Sequence, residues 1–235
     1  MPSSFTIFIP THNRHGYLKR VLEYYSDTDV PIIIGDSSHT AFSEPVAKNV
    51  SYHHFPDGAY QEKMDKIMSM ITTKYTVLCA DDDFILLKAI KSCIRFLEEH
   101  SDYASVQGHY VGFINLGEVL CFPRYLEKTG LDLNAEKASD RLVQLFKPYM
   151  HQAYSVHRTE NLKETFSYGL RIKNLNLIEV LIAAISTVNG KHKMLPLFYS
   201  ARERISGSIS HSTHGLDVIA RDKRYKEEYS TFLSC

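Results

Sequence analysis

Apolar positions along the first half of the chain switch between two periods. Phe5 to Ile9 is a short β-prone run; Leu18, Val21, Leu22 and Tyr25 then recur at i, i+3, i+4 and i+7, the stripe of an amphipathic helix. The alternation returns twice. Val30 to Ile34 reads as a second strand and Val50 to Phe55 as a weaker third, followed by a helical stripe at Met64, Ile67, Met68 and Ile71. Tyr75 to Ala80 is the next strand, and Ile90, Cys93, Ile94 and Leu97 mark a third helix.

Strands that are apolar throughout and separated by amphipathic helices predict a mostly parallel sheet covered on both faces. Residues 1–110 therefore form an α/β nucleotide-fold candidate within one compact unit. Ligands of such sheets bind beyond the carboxyl ends of the strands. The residues at those ends are Pro10-Thr11-His12-Asn13-Arg14, Gly35-Asp36-Ser37-Ser38 and Asp81-Asp82-Asp83, three polar clusters converging on one edge.

The second half, 111–235, is less regular. Ser105 to Phe113 reads as a strand, Ala138 to Phe146 as a helix, and Ile178, Leu181, Ile182 and Ile185 as a further helix capped by Asn174 or Asn176 and ended by Gly190. Met194 to Tyr199 is apolar enough for a strand, with Pro196 pointing to a sheet edge. Ser206 to Gly215 reads as a flexible loop, and RDKRYKEEYSTF as a charged helix or a disordered tail.

Charge narrows the partners. With 27 basic and 27 acidic side chains in 235 residues the formal charge is zero, so no global field holds the chain on nucleic acid or on an anionic surface. Any phosphate affinity must be local. Cys79, Cys93, Cys121 and Cys235 lie far apart without a C-x-x-C pair, which fits reduced thiols and a cytoplasmic setting. No segment approaches the roughly 20 uninterrupted apolar residues of a membrane span, although peripheral docking at the inner membrane face is compatible with this.

Three adjacent carboxylates repel one another unless a positive charge lies among them. Asp81, Asp82 and Asp83 follow an apolar strand, where carboxylates can hold Mg²⁺ or Mn²⁺ and leave coordination positions for a diphosphate; the plain alternative is one helix cap and two solvated side chains. Asp36 can accept from ribose hydroxyls or a base N–H, or serve only as a turn residue beside Gly35 and Ser37. The Pro10–Arg14 turn lacks both the G-x-G-x-x-G and the P-loop cradles. Proline there would instead turn the backbone outward, with Asn13 toward a base and Arg14 offering a fork for phosphate; a capping turn with a surface arginine is the alternative. Glu179 interrupts an apolar helix and is either a general base at a cleft boundary or a solvent-facing glutamate. His211 and His214 suggest a metal or phosphate contact from a late loop, in a chain whose twelve histidines make chance pairs common. Lys63 and Lys66 are snorkelling lysines or phosphate contacts.

The runs TIFIPTHNRHGYLKRVLEYY, VPIIIGDSS and YTVLCADDDFILLKAI resemble the nucleotide-binding half of family 2 glycosyltransferases of the GT-A fold, over residues 4–110. NLIEVLIAAISTVNGKHKMLPLFYSARE is similar in layout to that family's acceptor side, which keeps an acidic base at a helix start. The resemblance implies that Pro10, Thr11, Asn13, Arg14 and Asp36 surround the nucleoside, with Lys63 nearby and Asp81 near the ribose. It implies that Asp82 or Asp83 carries Mn²⁺ or Mg²⁺ on the diphosphate, that His211 or His214 closes over it, and that Glu179 deprotonates an acceptor hydroxyl with inversion at the anomeric carbon. The donor would be a UDP or GDP sugar and the acceptor a glycan or lipid-linked acceptor, in bacterial surface polysaccharide or glycoconjugate synthesis. Two competing classes are a sugar nucleotidyltransferase, which normally has a glycine-rich loop where this chain has PTHNRHG, and a nucleotide-sugar-binding module without turnover.

Overall fold

The computed structural model describes residues 3–124, 132–147, 149, 151–204 and 216–235. Its first half follows the two periods: β1 (Phe5–Thr11), α1 (His15–Tyr24), β2 (Ile32–Asp36), β3 (Val50–His54), α2 (Tyr60–Met70) and β4 (Tyr75–Leu78). β5 (Asp83–Ile85), α3 (Leu87–Glu99), β6 (Tyr103–Asn115) and β7 (Val119–Arg124) come next, then α4 (Ala138–Phe146), β8 (Val156–Arg158) and α5 (Thr159–Tyr168). α6 (Leu175–Asn189), β9 (Lys191–Glu203), α7 (Leu216–Arg221) and α8 (Lys226–Ser234) complete the chain.

One sheet runs β3-β2-β1-β4-β8-β6-β9-β5, with β7 paired to β6 beside this path. It is parallel across β3, β2, β1 and β4, then mixed: β8 is antiparallel to both β4 and β6, and β6 and β9 are parallel. The alternation along β1 sorts the core. Ile7 and Ile9 face a layer built by Leu18 and Val21 of α1 and Ile90, Cys93 and Leu97 of α3. Phe8 faces Met64 and Ile67 of α2, with Leu162 and Phe166 of α5 and Leu177 and Ile178 of α6. Successive side chains of a strand point to opposite faces, so one five-residue apolar run serves both layers.

One expectation holds locally and one is corrected. β9 lies between β6 and β5, but β5 pairs only with Ser200, Ala201 and Arg202, so at exposed Pro196 the strand has β6 alone beside it and the expected edge holds there. Pro196 is tolerated because the β6–β9 register slips between Gln107/Met194 and His109/Phe198, a bulge that asks no ladder hydrogen bond of it. The aspartate run does not open directly into a helix: Asp83 starts β5 and pairs with Arg202, and the residue capping α3 is Leu86. None of the three aspartates is that helix's cap.

Asn174, rather than Asn176, caps α6, its side chain accepting from the N–H groups of Asn176 and Leu177. The tail is helical, and Glu228 of α8 accepts from the N–H groups of Lys173 and Asn174, both at 2.8 Å, tying the last helix to the start of α6. All four cysteines are free. No helix among the described residues is long and apolar enough to cross a membrane. The expected loop Ser206–Gly215, with His211 and His214, lies outside the described residues.

Candidate active site

Pairing in register brings the ends of β1 and β2 level: Thr11 is opposite Asp36, and Asp36 opposite His54 on β3. Asn13 then takes φ 53, a left-handed conformation that Asn tolerates better than most residues. That turn aims its N–H at Ser38 Oγ, 2.7 Å away, and sets Arg14 at the start of α1.

Arg14 is the hub. Its guanidinium reaches Asp81 Oδ1 at 3.2 Å and donates to Asp82 Oδ2 at 2.6 Å. Thr11 Oγ1 donates to the other Asp81 oxygen at 2.7 Å. Burial pushes the Asp81 carboxyl up to about 6, against the pull of Thr11 and Arg14. The neighbouring carboxylates hold the Arg14 pKa above its ordinary value although burial opposes them. Asp83 points elsewhere, accepting from Arg202 Nε and from the Glu203 N–H, both at 2.9 Å. Arg20 pairs with Glu203 and stands over the ring of Tyr17, 5.1 Å from its centroid, while Arg14 approaches the same ring at 4.5 Å. Arginines thus meet the acidic cluster from three sides.

Asp36 is fully buried and held by four donors. Ser38 gives its N–H at 2.8 Å and its hydroxyl at 2.5 Å to one oxygen; Tyr52 OH at 2.7 Å and His15 Nε2 at 2.8 Å meet the other. Burial alone would raise this carboxyl, but the donors outweigh it and its pKa lies below the ordinary value. Lys63 is also buried, with its ammonium donating to Thr11 O and Ser37 Oγ, both at 2.9 Å. Burial lowers it to about 8, with the charges of Asp36 and Asp81 opposing. Gly35 makes room for this arrangement: a Cβ there would stand 3.3 Å from Lys63 Cγ and 3.1 Å from Ile67 Cγ1. Lys66 is exposed on the same helix and lies near Phe55 instead.

Glu179 sits on α6, half-exposed, and pairs with Nδ1 of His151. Its neighbour Ile178 shares an apolar layer with Met64 and Ile67 of α2, and Tyr60 packs against that layer. Burial, followed by the Glu179 charge, raises the Tyr60 phenol well above its usual value, and the Lys63 ammonium lies 5.7 Å from that ring's centroid.

The structure brings Thr11, Arg14, Asp36, Lys63, Asp81 and Asp82 together, with Pro10 the last residue but one of β1. Sequence reasoning did not single out His15, Tyr52, Arg20, Arg202 or His151. Tyr52 carried a signal: residues 52 and 54 of a strand share a face, and His54 Nε2 meets Ser38 O at 2.8 Å on the side where Tyr52 meets Asp36. Arg202 and His151 carried none, because only the sheet order brings β9 and the segment before β8 to this edge.

The donor set fits a hard divalent cation in a particular way. Among the described residues no three His, Cys, Asp or Glu side chains converge on a common cation position. Asp81 and Asp82 supply two neighbouring carboxylates, and Mg²⁺ is commonly held by one or two carboxylates plus substrate phosphates. A diphosphate would complete that shell.

The fold is of the GT-A architecture. The family described as glycosyl transferase family 2 matches residues 6–166, and the chain belongs to it. It is 26% identical over 148 residues to the uncharacterized glycosyltransferase MG025 of Mycoplasma genitalium, covering 56% of this chain and 48% of that protein. Among solved structures, residues 1–349 of TarS from S. aureus in complex with UDP-GlcNAc superpose with a TM-score of 0.63 at 14% identity, covering 100% of this chain and 71% of that one. The longer TarS chain gives 0.60 at 16% identity, covering 99% and 43%. The chain spans about half the length of the curated relative and, in another structure of TarS 1–349, 60% of that chain.

Proposed function

We propose that this chain transfers a sugar from a nucleoside-diphosphate donor of the UDP or GDP type to an acceptor hydroxyl by a metal-dependent, inverting displacement. The carrying observation is the Asp81–Arg14–Asp82 bridge at the strand ends, next to Thr11, Lys63 and Asp36. TarS, of the same architecture, was solved with UDP-GlcNAc, which favours a uridine donor here. Residues 1–110 would hold the donor, and 111–235 the acceptor and the base.

In this reading Pro10, Thr11, Asn13 and Asp36 shape the nucleoside pocket. Asp36 has both oxygens engaged by protein donors, so its contribution is to fix the Ser37-Ser38 turn, with any nucleoside contact sharing those oxygens. Asp82, with Asp81, would hold Mn²⁺ or Mg²⁺, which when bound offsets charge on the departing diphosphate. Asp83 is the weaker ligand candidate because Arg202 and the Glu203 N–H already take its two oxygens. Arg14 can swing its fork from the carboxylates to phosphate oxygens, and Lys63 lies behind it as a second cation; both stabilise the leaving group electrostatically. Glu179 takes the proton from the acceptor hydroxyl, and attack from the face opposite the nucleotide inverts the anomeric centre. A role for His211 or His214 over the diphosphate belongs to the same proposal, as does a glycan or lipid-linked acceptor in bacterial surface polysaccharide synthesis at the inner membrane face.

The test pairs binding with turnover. Thermal shifts with UDP and GDP, each with and without Mn²⁺, identify the nucleotide, since binding to the folded state raises its melting temperature. Release of nucleoside diphosphate from the matching sugar donor then reports turnover. Asp82→Asn should remove the Mn²⁺-dependent part of the shift. Glu179→Gln should keep the shift and lose turnover; full turnover in that variant removes Glu179 from the mechanism, and pyrophosphate release from a nucleoside triphosphate and a sugar phosphate would replace transfer by nucleotidyl chemistry.

A further inference from the structure

The pairing of Glu179 with His151 joins two elements that are held rigidly for separate reasons. Glu179 rides on α6, whose neighbours Leu177, Ile178, Val180 and Leu181 are buried. His151 precedes β8 in a segment fastened to β6: its carbonyl accepts from Gln107 Nε2 at 3.1 Å, and Gln107 Oε1 in turn accepts from Tyr110 OH at 2.7 Å and Ser155 Oγ at 2.8 Å. The imidazole also stands edge-on to Tyr149, with ring centroids 5.0 Å apart. A carboxylate oxygen only accepts, so Nδ1 of His151 carries the hydrogen.

An isolated ion pair at this exposure, about one third for both side chains, would be worth roughly 0–1 kcal/mol and would need no explanation. Its position argues for more. Glu179 follows Ile178, which lies in the same apolar layer as Met64 and Ile67 of α2; Tyr60 packs against that layer, and the Lys63 ammonium lies 5.7 Å from the Tyr60 ring centroid. Misplacing a reacting group by about 1 Å can cost about a hundredfold in rate, so each contact that fixes a reacting carboxylate matters to turnover.

We infer that His151 is a positioning residue for the general base: its Nδ1–H holds Glu179 Oε1 and helps fix the orientation of the carboxylate that takes the acceptor proton. This rests on the reading of Glu179 as the base. The histidine touches neither donor nor reacting atoms, so its loss should appear in turnover and not in donor affinity.

The experiment uses the full chain, with UDP-GlcNAc or whichever sugar nucleotide the wild type turns over, and measures release of nucleoside diphosphate. His151→Ala should lower kcat about tenfold or more, leave the donor KM within about twofold, and leave the thermal shift with nucleoside diphosphate unchanged. His151→Asn should recover much of the loss, because its side-chain N–H reaches the same oxygen. An unchanged kcat in His151→Ala, a parallel fall in donor affinity, or no recovery in His151→Asn would overturn the positioning role. Glu179→Gln separates the two layers of the argument: wild-type kcat in that variant refutes the base itself, whereas its loss beside an unaffected His151→Ala refutes only the histidine.

Discussion

Two histidines far from the nucleotide cluster should govern how the fold responds to acid. His157 on β8 and His192 on β9 are fully buried. His157 Nε2 donates to Gln152 O at 2.7 Å while Nδ1 meets Ser186 Oγ at 2.8 Å; His192 Nδ1 meets Ser105 Oγ at 2.8 Å, and its Nε2 has no partner among the described residues. Burial lowers His157 to about 4, with nearby backbone acceptors opposing, and lowers His192 to about 3, aided by His157. Against about 6.5 in the unfolded chain, the native state binds fewer protons below that pH. The stability from these neutral rings is therefore complete above pH 6.5 and is lost as pH falls toward 4, by about 1.4 kcal/mol per pH unit for each ring. Asp81 works in the other direction. Its folded value of about 6 lies above the ordinary 3.8, so between those two values acidification favours the native carboxyl, and Asp83 is raised in the same sense. The wild-type profile is a partial cancellation, and the informative quantity is a difference between profiles. Urea unfolding at half-unit steps from pH 6.5 to 5 should show His157→Gln and His192→Gln each losing about 1.4 kcal/mol less per pH unit than the wild type, about 3–5 °C in melting temperature for a chain of this size. Their stability at pH 7 is free to fall. Profiles parallel to the wild type would refute the reasoning.

Three further outcomes test the packing that positions the site. Gly35→Ala should weaken the thermal shift with nucleoside diphosphate by pushing Lys63 and Ile67, each within 3.3 Å of the new Cβ, while costing only about 1 kcal/mol of stability by chemical unfolding. At Gly108 a Cβ would stand 2.5 Å from Leu197 O, a backbone atom, so Gly108→Ala should destabilise by about 3 kcal/mol or more, read as a lowered urea midpoint with an unchanged slope. Buried Arg141 donates to Ala135 O, Glu136 O, Thr187 O and Val188 O; Arg141→Met strands these carbonyls and should cost about 3 kcal/mol in the same measurement.

The α/β half was legible because its apolar runs and stripes answer to local periodicity, and local periodicity survives any tertiary arrangement. Residues 18, 21 and 25 are buried wherever α1 docks on a sheet. The rule that strand ends gather ligands likewise placed Thr11, Asp36 and Asp81 on one edge before any contact was known. Reading each residue's task was another matter. Asp81, Asp82 and Asp83 are adjacent and chemically identical in sequence, yet the first lies between Thr11 and Arg14, the second takes the Arg14 fork, and the third opens β5 against Arg202. That division depends on β9 crossing to pair with β5, a contact spanning 119 residues between Asp83 and Arg202. In the same way Lys63 and Lys66 are indistinguishable lysines of one helix until Gly35 admits the stem of the first.

From composition and pattern alone the chain determined β1–β4, α1–α4 and α6 and the chemical character of one sheet edge, because these follow from the alternation of apolar and polar side chains, whereas β5, β7, β8 and α5 carried no such pattern. Only the tertiary structure decided which carboxylate meets which arginine, which asparagine caps α6, and that Glu179 has His151 beside it. Those choices are made by the pairing of segments distant in sequence, and nothing in the local pattern of either segment encodes its partner.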